Sequence, residues 1–240
     1  MLTIRLLALV ATCAVLWSLE SLVPLYRYPG HRLRHALPNI ALTVILLATN
    51  LALSFLVALA SSFVTERGLG LFAIVALPRW AEVVLAIAAL DFFAYVAHLS
   101  MHYSFLGWRF HRIHHSDEAV DVTTAFRQHP AETVWRTLWQ LPAIVLLGLP
   151  LWMVAVYLAV SALNAQLEHA NIRVAERLDR AIRWLFVTPN MHKVHHSRWE
   201  RETNSNYANV FSMWDRMFGT YTPAVDFATL RYGLDAPTPR

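Results

Sequence analysis

The sequence predicts an all-α integral membrane protein. About three spanning helices are joined by a helical hairpin over residues 133–168, and a helical cap on the cytosolic side carries clusters of histidine. Three observations predict this. Of the 240 residues, 57% are hydrophobic and only 15% charged, and the mean hydropathy is +0.41; an ordinary soluble domain has roughly 45–50% apolar and about 25% charged residues. Apolar runs near the ~20 residues that a helix needs to cross a bilayer recur along the chain. Histidines stand at helical spacing where the chain leaves those runs. One domain over residues 1–240 is expected.

Residues 4–25 form the first apolar run, interrupted by Glu20 and with a single Arg5 at its start. No small-x-small cleavage site follows it cleanly, so it reads as a retained membrane helix rather than a signal peptide. A short polar loop with Arg27, Pro29, Gly30, Arg32 and Arg34 comes next. His31 and His35 lie here at i, i+4, far from the other histidines, and lipid headgroup contact is expected of them. Residues 36–64 make the second span, long enough to cross with some tilt. Residues 71–77 are too short to cross, and Pro78 breaks the chain before the third span at 80–103.

The third span ends with His98 and His102 at i, i+4. Asp91 lies seven residues before His98, two turns away on the same face. A carboxylate in a membrane helix needs a partner, so Asp91 is either an outer acceptor that fixes a ligand's tautomer or a packing contact. The polar stretch 104–132 holds His111-Arg112-Ile113-His114-His115, and a second H-x-x-H-H, His192-Lys193-Val194-His195-His196, follows later. Spacing of i, i+3, i+4 puts the three rings of each box on one side of a helical turn. Eight imidazoles out of 12 histidines exceed what one ion uses, since a tetrahedral zinc is saturated by about four ligands. The arithmetic favours two metals, and imidazole suits iron, zinc, copper or nickel.

Residues 133–168 must start and finish on the same side of the membrane if the boxes before and after them meet. Gly148-Leu149-Pro150 splits the segment into limbs of about 15–18 residues, short against the ~20 of a full crossing. A hairpin that dips in and returns is expected, and it need not reach the far face. Asn164 and Glu168 approach the histidine region at its returning end and could support His169, a candidate ninth ligand. His129, alone before Pro130, is a substrate contact, a loop-fixing residue or, last in rank, a ligand. Residues 171–183 alternate arginines with Val174, Leu178 and Ile182, the pattern of an amphipathic helix along the membrane surface. The remainder up to Arg240, with Pro237 and Pro239, reads as a trailing tail.

Only Arg5, Arg67 and Arg79 fall on the side opposite the histidines, leaving the other 17 of the 20 basic residues with them. The positive-inside rule then puts the boxes in the cytoplasm, at the inner membrane if the source is bacterial. The charge of +4 gathers beside apolar spans, which fits anionic lipid and sets nucleic acid aside. The single cysteine, Cys13, excludes internal disulfides and thiolate clusters.

The box order H-x-x-x-H, H-x-x-H-H, H-x-x-H-H, with a membrane hairpin between the last two, resembles the fatty acid hydroxylase and sterol desaturase superfamily of membrane di-iron oxygenases. His114-His115-Ser116-Asp117-Glu118, Arg127-Gln128-His129-Pro130, His169-Ala170-Asn171, and Asn206-Tyr207 through Trp214 to Tyr221 agree with it. The resemblance runs over about residues 80–222 and is specific to family, not substrate. It implies a non-haem centre of two iron ions, with O2 as co-substrate, that hydroxylates or desaturates a C–H bond of a fatty acyl, sterol-like or ether lipid. Its ligands would be His98, His102, His111, His114, His115, His192, His195 and His196, with His169 in the place of a further ligand that many members have. A mostly nitrogen set differs from the carboxylate-rich soluble di-iron bundles.

A lipid tail could enter among Phe92, Phe93, Tyr95 and the hairpin, although such aromatics more often serve plain packing. No glycine-rich dinucleotide motif and no cysteine set is present, so electrons come from a separate reductase, ferredoxin or cytochrome. Two other readings stand beside this one. A zinc-dependent membrane lipid hydrolase would use metal-bound water, with Asp91 or Glu168 as base. A non-enzymatic metal-binding membrane protein would leave most of the boxes without a task.

Overall fold

The computed structural model describes residues 2–27, 30–223, 227 and 229–234, without the side chains of residues 2–6. Pro29 of the first loop and the tail from residue 235, with Pro237 and Pro239, lie outside the described residues. About 70% of the chain is helical, with no strand among the described residues. The helices are α1 (Leu2–Leu22), α2 (Arg32–Glu66), α3 (Leu71–Ile74), α4 (Arg79–Tyr103), α5 (Phe105–His115), α6 (Pro130–Leu147), α7 (Leu151–His169), α8 (Glu176–Ile182), α9 (Pro189–His195), α10 (Glu200–Thr203) and α11 (Met213–Met217). A short 3-10 turn, Val122–Phe126, precedes α6.

Among the described residues, three segments are long and apolar enough to cross a membrane: Arg32–Ile74, Arg79–Tyr103 and Leu151–His169. Leu37, Val44, Leu51, Phe55 on α2 and Val84 and Leu85 on α4 are exposed, an apolar surface that suits acyl chains rather than water. The helix α1 is shorter in its described apolar part, Leu7–Leu22. Its buried Glu20 explains the polar interruption in that run: the carboxylate accepts from Val122 N (2.8 Å) and Asn171 N (2.7 Å) and pairs with Arg32. Leu16 packs beside it on Val122 and Ala170.

The returning limb of the hairpin is slightly longer than the about 15–18 residues expected. At 1.5 Å per residue, the 19 residues of α7 rise about 28 Å, close to the ~30 Å apolar core. Its tip meets the loop after α2. Ser61 Oγ donates to Leu149 O (2.7 Å), and a Cβ built on Gly148 would lie 2.1 Å from Leu69 O. Gly148 ends α6 in the left-handed region, φ 73°, where glycine carries no Cβ penalty. The tip therefore reaches the level of the α2 terminus. Val57, Val64, Leu90, Ile144, Met153 and Tyr157 fill the core between α2, α4, α6 and α7.

Two surface expectations are corrected. The amphipathic helix predicted over 171–183 is helical only over Glu176–Ile182. The residues before it are extended because Ile172 bridges Pro24, with Arg173 N donating to Val23 O (2.9 Å) and Leu25 N to Asn171 O (3.2 Å). His35, expected at lipid headgroups, instead turns inward, with Nε2 3.4 Å from Asp117 Oδ2 and 3.8 Å from Asp121 Oδ1. His31 stays exposed.

Candidate metal centre

The C-terminal ends of α4 and α7 bring His98, His102 and His169 to the same end of the spans, where α5 and α9 carry the two H-x-x-H-H boxes. Ser104 starts α5 by accepting from Gly107 N (2.9 Å), and Thr188 starts α9 by accepting from Met191 N (3.2 Å), the usual hydroxyl caps. All nine imidazoles are buried, none more than 4% exposed.

The rings separate into two sets. His98, His102, His111, His115 and His195 form one, and His114, His169, His192 and His196 form the other; within each, one ring nitrogen per residue lies within 4.8 Å of the rest. The boxes are thus divided, rather than serving one place each. The i, i+4 pairs stay together: His98 with His102, His111 with His115, His192 with His196. The i+3 members, His114 and His195, cross to the other set. Since i+3 and i+4 differ by a 100° turn of the helix, one box reaches two points.

Ring-nitrogen spacing tests whether the sets fit ions. In the five-nitrogen set, His111 Nε2 is 3.0 Å from His98 Nε2 and 3.2 Å from His115 Nε2. In the four-nitrogen set, His169 Nε2 lies 3.1, 3.1 and 3.0 Å from Nε2 of His114, His192 and His196. An ion held at about 2.1 Å by imidazoles sets ligands at right angles about 3.0 Å apart. No carboxylate oxygen belongs to either set. The residues fit an imidazole-bound metal such as iron, with room for more than tetrahedral coordination.

Outward contacts orient the rings. Backbone carbonyls accept from Nδ1 of His98 (Tyr207 O, 2.8 Å), His114 (Arg127 O, 3.2 Å), His169 (Ala165 O, 2.6 Å) and His195 (Ser205 O, 2.7 Å). A carbonyl can only accept, so Nδ1 carries the proton and Nε2 offers its lone pair inward. Burial pushes the imidazole of His114 down to about 3 and that of His195 down to about 4. His111, His115, His192 and His196 are held well below the ordinary histidine range, burial again first and neighbouring charges second. The rings stay neutral, the form that binds metal.

Glu132 is the residue the sequence reading passed over. It is fully buried in the first turn of α6, with Oε2 3.1 Å from His111 Nδ1 and Oε1 3.1 Å from Arg136 Nε. Its place two residues after Pro130, a helix-starting proline, was the available sign. Glu168 sits beside the four-nitrogen set, its Oε1 3.8 Å from both His169 Nδ1 and His192 Nε2. Asn164 reaches Glu168 Oε2 (3.1 Å) and Asn209 O (2.6 Å) rather than a ring.

Asp91 is corrected: of its two expected partners it takes the packing one. It accepts from Val210 N (3.1 Å), Phe211 N (2.9 Å), Trp214 Nε1 (3.0 Å) and Tyr157 OH (3.2 Å). That anchors the segment whose Tyr207 O holds His98. His129 caps α6 through Ala131 N (3.1 Å) and stacks on Phe110, so it fixes a loop. Phe92, half-buried, packs on Trp214 and Phe218, and buried Tyr95 stacks on Phe218.

Comparison with known proteins adds to this geometry. The family model described as Fatty acid hydroxylase matches residues 83–220. An ornithine lipid hydroxylase, OlsE, of Rhizobium tropici is 34% identical over 145 residues, 60% of this chain and 43% of the relative. The alkylglycerol monooxygenase of Xenopus tropicalis is 32% identical over 155 residues, 64% of this chain and 33% of the relative. The human alkylglycerol monooxygenase is 31% identical over 152 residues, 63% and 33%. The chain thus spans less than half the length of these curated relatives. No solved structure matches.

Proposed function

The chain belongs to the fatty acid hydroxylase family, and on that premise we propose that it is a membrane-bound di-iron oxygenase that hydroxylates a C–H bond of a lipid. The observation that carries this reading is the division of nine buried imidazoles into two all-nitrogen sets that share both H-x-x-H-H boxes. The five-nitrogen set would hold one iron and the four-nitrogen set, with His169 as ninth ligand, the other.

Bound there, iron would supply the activation of O2 and the removal of hydrogen from an unactivated C–H bond. The chain's own residues do the rest. Carbonyls of Tyr207, Ser205, Arg127 and Ala165 hold ring tautomers, and Glu132, paired with Arg136, sets a buried carboxylate 3.1 Å from His111 Nδ1. Burial of every ring keeps bulk water from the reacting atoms. Insertion of one oxygen atom consumes O2, two electrons and two protons and releases water. Electrons would reach the site from a reductase, ferredoxin or cytochrome, since these 240 residues hold no dinucleotide or iron–sulfur motif.

The apolar segments around the site make this an integral membrane protein and support a substrate that arrives from the bilayer. Relatives named for ornithine lipid and alkylglycerol favour a lipid and favour oxygen insertion over desaturation. The excess of basic residues beside the boxes supports a cytoplasmic site. The zinc hydrolase reading is without support: of its two candidate bases, Asp91 and Glu168, Asp91 is committed to five donors, and the relatives are named as hydroxylases and monooxygenases. A non-enzymatic metal protein is equally without support.

The test is turnover under ¹⁸O2 of iron-loaded protein in lipid nanodiscs, with a reductase system and a panel of acyl, sterol-like and ether lipids. One heavy oxygen atom in a lipid product is expected. Two-iron protein that yields no oxygen-dependent product from any of these classes would sink the proposal.

A further inference from the structure

Lys193 lies inside the second H-x-x-H-H box, between His192 and His195, yet its amine is no part of either ring set. It is fully buried, at 0% exposure, and Nζ donates to Glu168 O (3.2 Å), Ala170 O (3.1 Å) and His169 O. These carbonyls belong to the end of α7, where the last helical acceptors have no partner within the helix. An ammonium has three donors and no acceptor. One side chain therefore satisfies three buried acceptors, and its charge complements the negative helix end.

The four-nitrogen set is assembled across this junction. His169 comes from α7, while His192 and His196 come from α9 and the residue that ends it. Among the described residues no backbone hydrogen bond joins α7 to α9. Apart from the ring nitrogens themselves, the described hydrogen bonds between them run through Lys193. The five-nitrogen set takes no ligand from α7. Its single ligand from α9, His195, is held from another direction by Ser205 O, and Asn206 Nδ2 ties Met191 O to the same segment (3.1 Å).

We propose that Lys193 is a positioning residue for the four-nitrogen centre alone: it clamps the end of α7 so that His169 meets His192 and His196. The two centres then have separately set metal affinities, and the four-nitrogen one can be emptied by itself. This rests on the reading of the two ring sets as metal centres.

The experiment is anaerobic titration of the full-length, detergent-purified chain with Co(II), followed by visible absorption and elemental analysis. Lys193→Met keeps an unbranched side chain of similar length without donors. H192A and H111A report the loss of the four- and five-nitrogen centres, and K193R keeps charge and donors. Wild type should bind two ions. K193M should bind one with wild-type affinity and the other ten- to a hundred-fold more weakly, the range seen when outer partners of metal ligands are removed. Its residual spectrum should match that of H192A, and K193R should lie nearer wild type. Two ions bound by K193M at wild-type affinity would overturn the proposal, as would equal weakening of both. A K193M chain that fails to accumulate, while K193R accumulates with two ions, would show a general structural role and overturn it as well. Wild type that binds fewer than two ions would instead fail the two-centre reading beneath it.

Discussion

Asp91 should be the most costly carboxylate in the membrane helices to replace, although it touches no imidazole. Its Oδ2 accepts from Phe211 N (2.9 Å) and Trp214 Nε1 (3.0 Å), and its Oδ1 from Val210 N (3.1 Å) and Tyr157 OH (3.2 Å). In Asp91→Asn one oxygen becomes an NH2 group. The less damaging orientation puts that group at Oδ1, where Tyr157 OH can turn to accept but Val210 N is left buried without an acceptor. One such orphan costs about 1–3 kcal/mol. Asp91→Ala orphans three N–H donors, so about 3 kcal/mol is its lower bound on the same scale. The loss should extend to the metal, because the anchored segment carries Tyr207 O and Ser205 O, which hold His98 and His195 of the five-nitrogen set. Thermal unfolding in detergent, with metal content measured alongside, reads both effects. D91N with stability within about 0.5 kcal/mol of wild type, the size of an ordinary surface change, and with unchanged metal would refute the reasoning.

Three further outcomes are expected. Gly148→Ala forces a Cβ to 2.1 Å from Leu69 O at a φ of 73°; the left-handed cost alone is about 1–2 kcal/mol, and the backbone clash adds to it, so the unfolding midpoint in detergent should fall well below that of a Leu→Ala change on the lipid face. Glu132→Gln leaves size intact but removes the charge between His111 and Arg136; metal affinity of the five-nitrogen set should drop about ten- to a hundred-fold in a chelator competition, with the four-nitrogen set unmoved. His129→Ala should cost about 1 kcal/mol as a lost helix cap and leave the metal content of purified protein at the wild-type value, which separates it from the nine buried rings.

The boxes were legible because a metal needs several nitrogens at short range, and i, i+4 spacing on a helix is a local property of sequence. The assignment of rings between two sets was not. Whether His114 joins His115 or crosses to His169 depends on where α7 ends, a tertiary fact. His169 was legible only as a position, since one histidine carries no spacing. Glu132 escaped because its partner His111 lies 21 residues earlier, and only the turn of α6 onto α5 brings them together. For Asp91 the burial of charge was plain, but seven-residue spacing to His98 suggested a partner on its own helix, whereas its donors come from residues 157–214. The hairpin was legible from topology, whereas the contact of its tip with Gly70 and Leu69 was not, because limb lengths carry no tertiary information. His35 and the helix at 176–182 were misjudged for one reason: a pattern suited to the membrane surface also suits inward pairing with Asp117 or an extended segment bridged to Pro24.

The central claim is that each of the two ring sets holds one iron. Elemental analysis of detergent-purified wild-type protein, made with iron supplied and without metal-affinity resin, with Mössbauer spectra of the same sample, tests it most directly. Two irons per chain in two nitrogen-rich environments is the expected result. One iron per chain after full loading, or zinc that persists with no oxygen consumed, would contradict it.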